Sequence, residues 1–240
     1  MLRLILGLAL LPLSASLLWA SARTLAGVAV GSMSAAPFAA GLGLAFAAWL
    51  LGRSLVSDAG PVFWAARAAR WGSVLGHELT HALAAWALGG RVYGMTVGER
   101  EGHVDISESG AFVALAPYFV PLSAFLIAIG YRALLWLDPD VGGESLFLFL
   151  MGLALGAHLL FTWVSLTETR QPDLDAAGGA MFSWSVILLA NSLVVLLLLK
   201  GLFPDSVPLW RRLRESGGAA GRAWSLAWSG AAPAGRAARE

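Results

Sequence analysis

Apolar residues along this chain gather into six long blocks, roughly Leu2 to Ala20, Ala35 to Leu51, Trp71 to Leu88, Phe112 to Leu137, Leu146 to Leu166 and Met181 to Leu199. Each is bounded by charge, glycine or proline. Crossing a hydrocarbon core of about 30 Å takes about 20 apolar residues in a helix, and only helices or closed barrels satisfy every backbone hydrogen bond in lipid. The pattern therefore predicts an all-α membrane protein with about six transmembrane helices. Between the third and fourth blocks the period changes. Gly-Gly-Arg-Val-Tyr-Gly-Met-Thr-Val-Gly and then Gly-His-Val-Asp-Ile-Ser form two short alternating runs with turn residues between them, which predicts a small β-hairpin over Val92 to Ile106. The first block has two readings. It is either the first span or, with Arg3 ahead of the apolar run and Ala20-Ser21-Ala22 behind it, a cleavable signal peptide over residues 1–22.

Composition strengthens the membrane reading: 58% of residues are hydrophobic, 13% are charged and the mean hydropathy is +0.72. Lys and Arg number 16 against 15 Asp and Glu, so no global basic field argues for nucleic acid. Cysteine is absent, which excludes disulfides and thiolate metal sites and leaves His, Asp and Glu as the available metal ligands. Arg53, Arg67 and Arg70 follow the second block, and Lys200, Arg211, Arg212 and Arg214 follow the last; the positive-inside rule puts both clusters in the cytoplasm. The Gly89 to Gly110 and Glu168 to Gly179 loops, two spans apart, then share the opposite face, although Arg91, Arg100 and Arg170 run against that bias. Residues 1–203 read as one polytopic domain. Residues 204–240, rich in Gly, Ala and Arg with Trp210, Trp224 and Trp228, read as a flexible or interfacial tail.

The chemistry concentrates in Gly76-His77-Glu78-Leu79-Thr80-His81. Two imidazoles four residues apart on a helix, whose turn advances about 5.4 Å, lie on one face and can converge on one cation. Glu78 beside them can take a proton from water activated by the metal and return it to a leaving amine. Ionisable groups are costly inside a bilayer, by about 3 kcal/mol for a charge at the centre, so their presence in an apolar block marks a functional cavity. A catalytic zinc needs a third protein ligand and keeps one position open. Asp175, in Gln171-Pro172-Asp173-Leu174-Asp175, is the favoured candidate, because Pro172 and the following glycines permit a break in helix there. Asp173 is the alternative, as ligand or as a partner orienting a histidine. His158 lies within the fifth block as a further candidate.

These residues resemble the site-2 protease family of intramembrane zinc metalloproteases, in particular its bacterial members and their shorter relatives. The run HELTHALAAWALGGRV, His77 to Val92, is similar to the family's HExxH helix continuing through small residues to Gly-Gly and a basic residue, with a hairpin next. Ala114 to Pro121 sits where the family has a small-residue and proline motif. Leu174-Asp175 matches the first two residues of the family's Leu-Asp-Gly motif, with Ala176 in place of the glycine. The likeness covers roughly residues 71–199. It implies a zinc endopeptidase in the bacterial plasma membrane acting on membrane-embedded or unwound segments of membrane proteins or peptides. His77, His81 and Asp175 would bind Zn2+, Glu78 would be the catalytic base and acid, and the Val92 to Ile106 hairpin would hold substrate as an added strand, with its loops facing the cytosol.

Two rivals remain. One is a non-proteolytic membrane protein that keeps a structural or transport zinc site. The other is a zinc hydrolase of another fold, with Glu99, Glu101 or Glu108 as third ligand. A serine-type protease lacks its nucleophile turn here.

Overall fold

The computed structural model describes residues 1–55, 61–99, 101–107, 110–168 and 171–231; Arg100, Glu108, Arg170 and residues 232–240 of the tail lie outside the described residues. The chain is mostly helical. Its order is α1 (Leu2–Gly31), a 3-10 turn (Met33–Ala35), α2 (Ala36–Leu55), α3 (Pro61–Ala87), β1 (Val92–Val97), β2 (Gly102–Ile106), α4 (Ala111–Phe119), α5 (Leu122–Leu137), α6 (Glu144–Glu168), α7 (Pro172–Ala177), α8 (Ala180–Leu202) and α9 (Leu209–Ala231). Every predicted apolar block is helical. Four helices, α1, α2, α6 and α8, are long and apolar enough to cross a membrane, and α4 with α5, bent by 69°, makes a fifth candidate. The third block is not among them, because Arg67, Arg70, His77, Glu78 and His81 interrupt the apolar run of α3. The bend falls at Pro121, which has no N–H to continue the ladder after Val120 closes α4 on the Ala116 carbonyl.

The chain divides into two compact units, residues 1–27 with 181–240, and residues 28–180. In the first, Leu17, Leu196 and Leu209 form a buried cluster joining α1, α8 and α9. Hydroxyls tie these helices together: Ser14 donates to the Ser185 carbonyl at 2.8 Å, Ser185 to the Gly7 carbonyl at 2.9 Å and Ser16 to the Ser216 carbonyl at 3.1 Å. The tail expected to be flexible or interfacial is therefore helical over Leu209–Ala231. It buries Leu209, Ser216 and Ala220 and leaves Trp210 and Trp228 exposed.

In the second unit α2 and α6 meet through glycines. Gly41 abuts the backbone of Phe149 and Leu153, Gly152 that of Phe38 and Leu42, and Gly156 the side chains of Ala45 and Leu42. The paired numbers rise together along both helices, so α2 and α6 run parallel and their C-terminal ends point the same way.

After α3, Gly89 at φ +80° turns the chain back, and the Gly90 N–H caps the Ala85 carbonyl at 2.8 Å. The hairpin predicted over Val92 to Ile106 forms here as an antiparallel pair, with Met95 opposite Val104 and Val97 opposite Gly102. It lies along α3. Ile106, at its base, packs on the Ala84, Ala85, Val113 and Ala116 cluster shared by α3 and α4. Near its tip Glu99 pairs with Arg67, whose guanidinium also sits 4.9 Å from the centre of the Trp64 ring.

Candidate metal centre

Three elements far apart in sequence build the site. On α3 the one-turn spacing brings the His77 and His81 Nε2 atoms within 3.2 Å of each other. On α7, Pro172 takes the first helical position and fixes the direction of the turn that follows. Asp173 and Asp175, two residues apart, lie about 200° apart around that turn, so only one of them can face α3. Leu174 and Ala177 are the buried residues of α7. With that face inward, the Asp173 Oδ2 sits 3.3 Å from His77 Nε2 and 3.5 Å from His81 Nε2, while Asp175 is exposed. The carboxylate brought to the histidines is thus that of Asp173 and not of Asp175, the ligand that the Leu-Asp likeness favours. His77, His81 and Asp173 are the one cluster of three potential metal ligands among the described residues.

The geometry fits zinc. Ligand atoms about 2.0–2.1 Å from a tetrahedral zinc lie about 3.3–3.4 Å from one another, and the three edges here are 3.2, 3.3 and 3.5 Å. Two imidazoles and a carboxylate form a donor set that could hold a metal ion. The Nδ1–H of His81 donates to the Val113 carbonyl at 2.8 Å, which turns Nε2 toward His77 and Asp173. The Asp173 carboxyl is held well below the usual carboxylate range. Burial pushes it up, but hydrogen bonds from His77, His81 and Tyr118, together with the charge on His81, outweigh burial.

Glu78 is buried at 7% exposure, and its carboxyl interacts electrostatically with His77, His81 and Asp173. The hairpin seats it. An added Cβ at Gly102 would lie 2.6 Å from Glu78 Cγ and 2.8 Å from Glu78 Oε1, so only a residue without a side chain lets β2 pass this close.

The other candidates lie apart from the cluster. His158 is half-buried on α6, Glu99 is paired with Arg67, and Glu101 is exposed beside the hairpin turn. Sequence reasoning missed three contributors. Tyr118, whose hydroxyl donates to Asp173 Oδ2 at 2.9 Å, carried a legible signal, since a phenol inside an apolar helix needs a polar partner. The Val113 carbonyl and Gly102 carried none. No family model, curated protein or solved structure matches the chain, so the reading of the site rests on its own geometry.

Proposed function

We propose that this chain is an intramembrane zinc metallopeptidase of the site-2 protease type, cleaving peptide bonds in membrane-embedded or unwound segments. The observation that carries the reading is the triangle of His77, His81 and Asp173, whose edges suit tetrahedral zinc, with the buried Glu78 carboxyl beside it. Zinc bound there would polarise the scissile carbonyl and acidify water at neutral pH. Glu78 takes the proton from the attacking water and passes it to the leaving nitrogen, a role that contributes about 10²–10⁴-fold in rate. An extended peptide would add to an edge of the two-stranded hairpin, and extension matters because a helical segment hides its carbonyls.

Parallel packing of α2 and α6 favours five crossings over the six counted from apolar blocks. Two parallel spans must be separated by an odd number of crossings, so α3, the hairpin and α4 together act as a re-entrant element and α5 crosses. The side holding α7 and the site also holds Arg67 and Arg70, which favours its facing the cytosol. That agrees with the family resemblance. A structural zinc takes four protein ligands, and the cluster supplies three among the described residues, which favours a hydrolytic over a structural site.

The test measures zinc content and cleavage of a model transmembrane peptide for wild type and Glu78→Gln. Zinc retained in both, with cleavage lost in Glu78→Gln, is the expected result. Purified, folded protein that rejects zinc, or Glu78→Gln cleaving at the wild-type rate, overturns the proposal.

A further inference from the structure

We infer that Tyr118 is a positioning residue, itself directed by Gln171, that aims the Asp173 carboxylate at the metal; the inference rests on the metal-centre reading above. Tyr118 is 1% exposed, and its oxygen lies 2.9 Å from Asp173 Oδ2 and 3.0 Å from the Oε1 of Gln171. A phenol has one proton to donate. Of the two neighbours the carboxylate is the stronger acceptor, so the proton goes to Asp173. The group that Gln171 presents to the phenol oxygen must then be a donor. A half-turn of the amide puts its NH2 there without moving the chain. The result is a directed chain: Gln171 N–H donates to the Tyr118 oxygen, and Tyr118 O–H donates to Asp173 Oδ2.

The surroundings hold this chain in place. Thr162 on α6 donates to the Tyr118 backbone carbonyl at 3.1 Å, and the ring stands edge-on to His77 at 5.2 Å between centroids and 83° between planes. One rigid side chain with two rotatable bonds therefore touches two members of the cluster at once. Asp173 needs such a partner because its side chain is 27% exposed and sits in the first turn of a six-residue helix, where water competes for the carboxylate. Oδ2 keeps a second lone pair for the metal while it accepts from Tyr118. Gln171 is also the residue ahead of α7, so the segment that carries the carboxylate carries the group that orients its partner.

Removing a partner of this kind costs about 10–100-fold in metal affinity. The test is equilibrium zinc affinity, by chelator competition, of the purified full chain as wild type, Tyr118→Phe, Asp173→Ala and the double variant, with the Co2+-substituted absorption spectrum as a second readout. Tyr118→Phe keeps the ring and its packing. It is expected to weaken zinc binding by about 10–100-fold in the wild-type background, to shift the Co2+ ligand-field bands, and to cost nothing further once Asp173 is alanine. A purely structural role would weaken both backgrounds alike. Gln171→Glu, which replaces the donor by a second acceptor competing for the phenol proton, is expected to weaken binding in the same way and serves if Tyr118→Phe does not fold. Wild-type protein that binds no zinc overturns both readings. Wild-type protein that binds zinc, with Tyr118→Phe or Gln171→Glu binding equally well and giving an unchanged Co2+ spectrum, overturns this inference alone.

Discussion

Replacing Gly102 by alanine adds one methyl group between the hairpin and the general base. Carbon atoms in ordinary contact lie about 3.5–4.0 Å apart, but this methyl would sit 2.6 Å from Glu78 Cγ and 2.8 Å from both Glu78 Oε1 and Val74 Cγ1. Either the carboxylate or the strand must give way by about 1 Å. The Glu78 side chain is the softer of the two, since β2 is held by its ladder to β1 and by Val104 and Ile106 against the helices. A misplacement of about 1 Å costs about 10²-fold in rate, equivalent to ~2.7 kcal/mol of barrier. The methyl meets none of His77, His81 and Asp173 among its nearest neighbours, so zinc content should stay at the wild-type level. Gly94→Ala on the partner strand is the control, because an added Cβ there meets nothing within 4 Å. The assay is initial-rate cleavage of a transmembrane peptide, normalised to bound zinc. Gly102→Ala cleaving like wild type, or Gly94→Ala impaired to the same extent, refutes the idea that β2 seats the carboxylate.

The two aspartates of α7 separate cleanly: Asp173→Ala should lose stoichiometric zinc while Asp175→Ala keeps it, read by metal analysis of purified protein, and the reverse result would move the third ligand to the exposed position. Gly152→Leu should lower the thermal midpoint, since the α6 backbone at Gly152 abuts α2 at Phe38 and Leu42; overpacking of this kind costs about 1–3 kcal/mol. Gly130→Ala, in open space on α5, should leave the midpoint unchanged or slightly raised. The Arg67 and Glu99 side chains are 36% and 44% exposed, so Arg67→Ala should change stability by no more than ~1 kcal/mol. A larger loss in chemical unfolding would mean that the hairpin tip is held chiefly by this pair.

What could be read from the residues alone was whatever depends on near neighbours in the chain. Six apolar blocks marked the helices because the length and polarity of a segment are local properties. The one-turn spacing of His77 and His81 put two imidazoles on one face before any packing was known. The hairpin announced itself through two alternating runs with glycines between them. Three things required the folded chain. Asp173 and Asp175 are indistinguishable by composition and spacing, and the choice between them falls to the buried Leu174 and Ala177, which turn one carboxylate toward a helix almost a hundred residues away. Tyr118 and the Val113 carbonyl become partners of the cluster only because α4 doubles back along α3. The parallel run of α2 and α6 depends on glycine contacts more than a hundred residues apart. Contacts over such distances are selected by the shape and burial of the whole fold, which no short window of sequence encodes.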